Sequence, residues 1–502
     1  MTDLPAVYAQ FVDALRSHAD IAAALRLLEW DQETFMPAGA AESRARQIGT
    51  VAALLHSRQT DPRFLDLVGT LAAEESRLSA EQAVDVRETK WRLDRARALD
   101  SRLVQERATL HARGHAAWQV ARERNDFGHL APLLARIVDV ERRVATAIGP
   151  DRDPYDVLLE EYEPGASTTQ IATVFAALRT GLRPLLDRLR ARVARAPLAS
   201  DALCGHFPID TQRRWNRLLA ERLGFDFRRG RLDEAVHPFS TTIGPDVRIT
   251  TRYDPQDLRY ALFSTVHETG HALYEQGLDP ALRGTPRGEA CSLAVHESQS
   301  RLWENQVARS PGFWRALLPE AATFFPSLGV RSLDGVVLAV NEARLSLIRT
   351  EADELTYNLH ILVRFDLERA LVSGSLAVSD LPAAWRETMR AYLDITPESD
   401  RDGVLQDVHW PSGAIGYFPT YTLGNIYAAQ LAAAAEADLG ALDELLERGE
   451  FRLLLAWLRE RVHRWGQTYR APQLIERATA RPPDAQPLLD HLARKMRYLE
   501  AH

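Results

Sequence analysis

The chain has little cysteine and no long apolar segment. Only two of its 502 residues, Cys204 and Cys291, are cysteines, which excludes a disulfide-rich scaffold and any metal site built from four cysteines. No apolar run approaches the roughly 18 residues that a membrane-spanning helix needs. No basic segment followed by an apolar one opens the chain, as it would in a signal peptide. We therefore expect a cytoplasmic protein with no membrane partner.

The chain also lacks an excess of positive charge. It has 61 basic and 69 acidic residues, which gives a net charge of −8. Such a chain presents no basic field to a phosphate backbone, so nucleic acid is not an expected partner. Charged residues make up 26% and hydrophobic residues 46% of the chain, which is ordinary for a folded globular protein.

Helical periodicity dominates the sequence. Apolar residues recur at the spacing of one helix face from the start of the chain, at Tyr8, Phe11, Val12 and Leu15. No proline occurs from Arg63 to Ala131, which predicts long helices interrupted near Gly69 and Gly114. No linker or repeat marks a domain boundary. We predict a mainly α fold, with a single body over residues 1–502 that two lobes around a central groove could form.

One short region has the pattern of β-strands. Residues Thr241–Ile243 and then the alternating apolar and β-branched residues of Val247–Tyr253 flank the turn-forming segment Gly244–Asp246. This pattern predicts one small sheet in the otherwise helical protein.

The most informative segment is His267–His271, which reads H-E-x-x-H. Residues four apart lie on one face of a helix, so both imidazoles can bind one zinc ion. Glu268 is then placed to take a proton from water that the metal activates. The motif predicts a zinc peptidase, and the alternative is a helix with two incidental surface histidines.

The residues around this motif predict the helix and its neighbour. Asp254 and Pro255 predict the start of the helix, and Gly277 predicts its end. The strand predicted over Val247–Tyr253 directly precedes this helix. A strand edge beside a metal can hold an extended peptide by backbone hydrogen bonds, which favours peptide substrates.

The motif leaves the third metal ligand open. A metzincin would carry histidine six residues after His271, where this chain has Gly277. A glutamate from a later helix is the alternative, and Glu297 lies far enough along the chain for a turn and an antiparallel return. On the residues alone, Glu297 could equally be an exposed helix carboxylate, as Glu289 or Glu304 could be.

Eight short segments, in this order, are shared with one protein family. They are Trp30–Thr34, His237–Phe239, Asp246–Thr250, His267–His271, His296–Gln299, Ile348–Asp353, Gly403–Trp410 and Gly416–Tyr421. Through them the chain resembles the carboxypeptidase Taq family of metallocarboxypeptidases, over nearly its whole length.

The resemblance implies a fold, a metal site and an activity. The fold would be similar to that of angiotensin-converting enzyme and the thimet-type oligopeptidases, with a deep groove and a metal at its floor. His267, His271 and Glu297 become the ligands of one divalent ion, which we expect to be zinc, with cobalt or manganese as alternatives, and Glu268 becomes the general base. Family members form homodimers and remove single C-terminal residues from peptides, with broad side-chain preference and poor action at proline.

The resemblance also implies that Arg349 binds substrate. An exopeptidase needs a fixed cation for the terminal carboxylate, and the guanidinium fork donates two parallel hydrogen bonds to such a group. The alternative is an ordinary helix ion pair with Asp353, four residues along the chain.

Further polar residues complete the expected site. His409 and Tyr421 are expected to stabilise the developing oxyanion, although each could instead be a buried polar or core aromatic residue. His237 is expected near the substrate. Gln406 and Asp407 are expected to hold these groups from behind.

Two other functions remain open. An oligopeptidase or dipeptidyl carboxypeptidase on the same fold would differ in where the groove places the scissile bond. A helical binding protein without catalysis would keep the fold and bind no divalent ion. We predict a metal-dependent carboxypeptidase, because the sequence contains all three predicted ligands and the general base Glu268.

Overall fold

A computed structural model describes residues 3–195 and 201–502. Its α-helices are α1 (Leu4–Thr34), α2 (Ala41–Gln59), α3 (Pro62–Ala73), α4 (Ala80–Arg97), α5 (Ser101–Arg124), α6 (Phe127–Ile148), α7 (Pro154–Leu159), α8 (Thr168–Arg195), α9 (Ile209–Leu223), α10 (Leu258–Glu275), α11 (Leu293–Arg301), α12 (Pro311–Phe324), α13 (Leu333–Val340), α14 (Tyr357–Ser373), α15 (Leu381–Leu393), α16 (Pro419–Leu439), α17 (Leu442–Glu447), α18 (Phe451–Arg461), α19 (Ala471–Thr479) and α20 (Gln486–Ala501). The strands are β1 (Gly230–Glu234), β2 (Ser240–Ile243) and β3 (Asp246–Thr251). The predicted mainly α fold with a small sheet is confirmed. Within the described ranges, no helix is both long enough and apolar enough to cross a membrane.

The predicted interruptions at Gly69 and Gly114 are wrong. Gly69 lies inside α3 and Gly114 inside α5. New helices begin instead after Ser79 and Asp100, whose side chains accept hydrogen bonds from backbone amides in the first turns of α4 and α5. Gly114 serves packing, because a β-carbon there would lie 2.0 Å from the carbonyl oxygen of Pro411.

Helix α11 packs against both α10 and α16. The alanine-rich helix α16 is buried around most of its circumference, as expected for a helix with small and apolar residues on every side. Glycines allow the closest contacts. A β-carbon on Gly270 of α10 would lie 2.6 Å from the carbonyl oxygen of Gln299 in α11, and one on Gly424 of α16 would lie 2.7 Å from Cγ of Glu297.

Helices α1, α3 and α4 pack around an apolar cluster of their own. Its buried members are Leu4, Phe11, Phe64, Val68, Leu71 and Val86. Polar pairs join these helices to the rest of the chain, among them the ion pair between Arg287 and the fully buried Asp85. A cavity of about 780 Å³ lies between α1, α4, β2 and the segment that joins α10 to α11. We call it the groove cavity.

The small sheet has β3 at its centre, with β1 parallel on one side and β2 antiparallel on the other. The expectation that β3 offers an edge to a peptide is therefore wrong. β2 is the edge strand beside α10, and Ser240–Thr242 line the groove cavity. β1 has the sequence Gly-Arg-Leu-Asp-Glu, which lacks the β-branched alternation by which the other two strands are recognised.

Helix α10 begins later than its sequence predicts. Asp257, and not Asp254, caps it by accepting a hydrogen bond from a backbone amide of the first turn. The carbonyl of Pro255 instead accepts a hydrogen bond from the amide of Phe207, at 2.8 Å, so the chain there pairs with another segment. The helix ends two residues before Gly277, close to the predicted stop.

Candidate active site

Three side chains converge where α10 meets α11. The Nε2 atoms of His267 and His271 lie 3.2 Å apart. Oε2 of Glu297 lies 3.6 Å from Nε2 of His267 and 3.4 Å from Nε2 of His271. Ligands of one tetrahedral zinc ion, each about 2.1 Å from it, are separated by roughly 3.3 Å, so the three residues fit a single ion. Among the described residues, no other group of three histidine, cysteine or acidic side chains converges in this way.

Glu297 is buried and ionised between polar partners. Arg301, one turn further along α11, donates to Oε1 at 2.7 Å, and the hydroxyl of Ser300 donates to Oε2 at 3.1 Å. Burial opposes ionisation, but Arg301 and His267 together hold the pKa of Glu297 well below its ordinary value. The alternative of an exposed helix carboxylate is therefore wrong.

The first turn of α11 is held by a second buried carboxylate. Glu163 accepts hydrogen bonds from the hydroxyl of Ser292 at 2.9 Å and from the amide of Ala294 at 3.1 Å. Burial raises the pKa of Glu163 to about 7, against the effect of these two hydrogen bonds. Because Ser292 also caps the helix by accepting from Val295, the start of α11 is fixed on two sides.

Glu304 holds the second ring nitrogen of His267. Its Oε2 lies 2.9 Å from Nδ1 of His267, and Arg301 and Arg309 each donate to it at 3.1 Å. Glu304 lies in the π-helical turn Leu302–Val307 that follows α11, a rare conformation that often occurs at functional sites. Glu304 is buried, so the alternative of an exposed helix carboxylate is wrong for this residue.

His271 has a different partner on its second ring nitrogen. Nδ1 of His271 lies 2.5 Å from Nδ1 of His296, and Nε2 of His296 lies 3.0 Å from Oε1 of Glu275. Burial lowers the pKa of His271 to about 3. With both Nδ1 atoms occupied, the two Nε2 atoms face each other and Glu297.

Glu268 follows His267 on α10 and lies next to the small sheet. It is buried, and the hydroxyl of Ser240 on the edge strand donates to its carboxyl group. Burial raises the pKa of Glu268 to about 7, while His267 opposes the shift. The carboxyl group therefore lies between α10 and the strand β2, which lines the groove cavity.

Arg349 lies in a short helical turn, Arg349–Glu351. Its Nε and Nη2 atoms donate to Oδ1 of Asp407 at 3.1 and 2.9 Å, and Nη1 donates to the hydroxyl of Tyr357 at 3.2 Å. Asp353 accepts instead from Leu355 and other local groups, so the alternative of an ion pair between Arg349 and Asp353 is wrong. Three of the five guanidinium donors are used by these partners.

Gln406 and Asp407 hold Arg349 from behind, whereas the sequence assigned them to the groups around His409 and Tyr421. Oε1 of Gln406 accepts a hydrogen bond from the backbone amide of Arg349 at 2.9 Å. The second carboxylate oxygen of Asp407 accepts from Arg364, which is fully buried. Because Asp407 is shared between two arginines, the position of the Arg349 side chain is strongly constrained.

Tyr357 connects Arg349 to Arg301 beside Glu297. Its hydroxyl accepts from Arg349 at 3.2 Å and is 3.5 Å from Nη2 of Arg301, the arginine that holds Glu297. The sequence carried no signal for Tyr357. Arg301 and Glu304 could have been found, because they follow Glu297 by four and seven residues, which is the spacing of one helix face.

His409 and Tyr421 lie together beside Arg349. Nε2 of His409 is 3.3 Å from the hydroxyl of Tyr421, and the Arg349 guanidinium lies 5.1 Å from the centre of the Tyr421 ring. Burial lowers the pKa of His409 to about 4, and burial holds the pKa of Tyr421 well above its ordinary value. Tyr417, to which sequence reasoning assigned no role, belongs to the same cluster, with its ring centre 5.3 Å from each of the other two rings.

His237 does not join this cluster. It is exposed in the loop between β1 and β2, three residues before Ser240. Within the described part of the chain, no hydrogen bond or ion pair links it to the other predicted site residues.

Comparison with known proteins shows the family to which the chain belongs. A sequence model of the carboxypeptidase Taq (M32) metallopeptidases matches residues 10–496. The chain is 45% identical to thermostable carboxypeptidase 1 of Thermus thermophilus, over 98% of both chains, and 38% identical to carboxypeptidase 1 of Bacillus subtilis, over 97% of both. The crystal structure of the M32 carboxypeptidase from Deinococcus radiodurans R1 superposes with a TM-score of 0.95 at 42% identity, covering 99% of this chain and 100% of that one. The chain therefore belongs to the carboxypeptidase Taq (M32) metallopeptidase family, as its motifs predicted, and is a metallocarboxypeptidase.

Proposed function

We propose that this enzyme releases single C-terminal amino acids from peptides, with one divalent ion held by His267, His271 and Glu297. The observation that supports this most strongly is the convergence of two Nε2 atoms and one carboxylate oxygen within 3.6 Å of one another. A divalent ion bound there would polarise the peptide carbonyl and lower the pKa of water towards neutrality. Two imidazoles and a carboxylate suit zinc, and they also accept cobalt or manganese.

Glu268 is the proposed general base. Its carboxyl group lies between α10 and the edge strand, where Ser240 donates to it. It would take the proton of the attacking water and deliver it to the leaving amine. Its neighbour His267 is a proposed ligand, so the base would lie close to water bound at the metal.

The oxyanion donors are Tyr421 and His409. Tyr421 keeps its proton because its pKa is well above the ordinary value, so its hydroxyl can donate to the carbonyl oxygen as charge develops there. Nε2 of His409 lies 3.3 Å from the Tyr421 hydroxyl. His409 would hold that hydroxyl in place or donate to the same carbonyl oxygen.

Arg349 is the proposed anchor for the terminal carboxylate. Asp407 and Tyr357 fix its guanidinium and leave two of its N–H donors for substrate. The residues upstream of the scissile bond would then extend into the groove cavity along the edge strand β2, where backbone groups can pair with a peptide. His237, in the loop that leads into β2, would contact this part of the substrate from the solvent side.

Mass spectrometry of digestion products tests the function directly. A panel of peptides with different C-terminal residues, including proline, is incubated with the metal-free protein and with added zinc, cobalt or manganese. Successive losses of single residues that require metal, broad in side chain and slow at proline, are expected. Losses of two residues or internal cuts would instead support a dipeptidyl carboxypeptidase or an oligopeptidase.

We also propose that the enzyme forms a homodimer in the cytoplasm. Light scattering at several protein concentrations should give twice the chain mass of 56.3 kDa, and fractionation of cells should recover the enzyme with cytoplasmic markers. A mass of one chain at all concentrations would contradict the homodimer.

A further inference from the structure

The second ring nitrogens of the two proposed ligand histidines are held in different ways. Nδ1 of His267 meets a carboxylate directly, at 2.9 Å from Glu304. Nδ1 of His271 meets another imidazole, at 2.5 Å from His296. The nearest carboxylate on this side, Glu275, lies beyond that imidazole, 3.0 Å from Nε2 of His296. We call His271, His296 and Glu275 the hydrogen-bond series.

The contacts allow one consistent assignment of protons along the hydrogen-bond series. Nε2 of His271 faces the other two ligands, so its Nδ1 carries the hydrogen and donates it. Nδ1 of His296 must then accept, which leaves the hydrogen of His296 on Nε2, where it donates to the carboxylate of Glu275. Every ring nitrogen in the hydrogen-bond series thus has one role, and the carboxylate of Glu275 is the final acceptor.

The hydrogen-bond series is also held by the elements around it. Glu275 lies one turn after His271 on α10, and His296 lies on α11 next to Glu297. The hydrogen-bond series therefore connects the two helices that carry the proposed ligands. The hydroxyl of Thr242 on the edge strand donates to Glu275. The side chains of His296 and Glu275 are 19% and 17% exposed, and both line the groove cavity. They are therefore held in place by partners while remaining next to the path of the substrate.

We propose that His296 is a positioning residue of the metal site. It accepts the Nδ1 hydrogen of His271 and, anchored by Glu275, fixes the tautomer and the ring plane in which His271 presents Nε2 to the divalent ion. This inference rests on the metal site proposed above and adds the residues that orient one of its ligands.

Replacement of His296 should weaken metal binding without removing a ligand. Loss of such an orienting partner costs roughly 10- to 100-fold in metal affinity, and we expect a loss of this size for His296→Ala. His296→Asn should recover part of it, because its Oδ1 can accept a hydrogen bond near the position of Nδ1. Glu275→Ala acts through His296, so the double variant should bind metal about as weakly as His296→Ala alone.

The test measures binding by the full-length protein. The zinc dissociation constant is determined by competition with a chromophoric chelator, and the visible absorption spectrum of the cobalt-loaded protein reports the geometry of the ligands. The control is His56→Ala, because His56 is exposed and lines the same cavity without contact to His271. We expect weaker zinc binding and a changed cobalt spectrum for His296→Ala, and neither change for the control.

The outcomes separate this inference from the proposed function. Equal zinc affinity and an unchanged cobalt spectrum in His296→Ala and the unaltered protein would overturn the role of His296 and leave the metal site intact. Absence of zinc and cobalt binding by the unaltered protein would overturn both. If the metal-free His296→Ala protein unfolds at a lower temperature, the folded variants His296→Asn and Glu275→Ala decide the matter by the same two measurements.

Discussion

Gly424 of α16 lies directly against the side chain of Glu297 on α11. A β-carbon at Gly424 would be 2.7 Å from Cγ and 2.8 Å from Cβ of the glutamate, both closer than carbon atoms can approach without displacement. Arg301 holds the carboxylate from the other end, at 2.7 Å. Glu297, the proposed third ligand, is therefore confined between the backbone of α16 at Gly424 and its ion pair with Arg301.

Substitution Gly424→Ala should displace this ligand. The added methyl group would push α11 from α16, at a cost of about 1–3 kcal/mol in the free energy of unfolding, and zinc binding should weaken with it. Gly69→Ala is the control, because Gly69 also lies inside a helix but a β-carbon there meets nothing within 4 Å. Denaturant unfolding and chelator competition measure the two effects. Unchanged zinc affinity in Gly424→Ala would show that α16 does not position Glu297.

Glu268→Gln should separate metal binding from turnover. The amide cannot accept the proton of water, so kcat should fall by roughly 10²- to 10⁴-fold, while the zinc content stays at one ion per chain because the three ligands are intact. Glu289→Gln is a suitable control, since Glu289 also lines the groove cavity and has no contact with the ligands. Peptide hydrolysis and metal analysis of both variants provide the comparison. Residual activity near that of the control would refute the role of Glu268.

Arg349→Ala should discriminate between free and amidated peptide ends. Loss of hydrogen bonds to a charged carboxylate is worth roughly 1.5–3 kcal/mol, so kcat/KM for a peptide with a free C-terminus should fall about 10- to 100-fold. Cleavage of the C-terminally amidated peptide should fall much less. Arg344→Ala, a change at a nearby exposed arginine, should leave both rates unaltered. Equal losses for both peptides would exclude carboxylate binding by Arg349.

The buried Glu163 should make stability depend on pH. Its pKa is raised from 4.5 to about 7 by burial, and its titratable neighbours Tyr274, Cys291 and Tyr427 have raised pKa values and stay uncharged. A raised carboxyl pKa favours the protonated form in the folded state. Its contribution to stability is therefore complete below pH 4.5 and is lost as the pH rises to 7, by about 3 kcal/mol.

Glu163→Gln should remove this dependence. The amide is neutral at every pH and can still accept from Ala294, so the variant should be more stable than the unaltered protein at pH 8 and about equally stable at pH 5. Denaturant unfolding of the metal-free proteins at the two pH values measures the difference. A variant that is less stable by the same amount at both values would show that Glu163 is ionised in the folded state.

Local patterns were sufficient for part of this protein. The spacing of Tyr8, Phe11, Val12 and Leu15 predicts α1, and the four-residue spacing of His267 and His271 places both imidazoles on one face of α10. Helix geometry relates residues a few positions apart, so such features can be derived from the sequence alone. The shared motifs add the family, since they specify residues of a known site in a known order.

Other features depend on contacts between distant segments. The residues alone left Glu297 as either a ligand or an exposed carboxylate, and only the close packing of α11 on Gly270 and Gly424 brings it to the histidines. Arg349 pairs with Asp407, which is 58 positions away, and not with the nearby Asp353.

The start of α10 and the edge of the sheet were decided in the same way, by pairing with the segment near Phe207 and by the insertion of β3 between β1 and β2. The sequence by itself determined which residues can bind a metal and act on a peptide. The tertiary structure decided which of them meet, because the distances between separate helices and strands depend on how side chains pack and not on any local repeat.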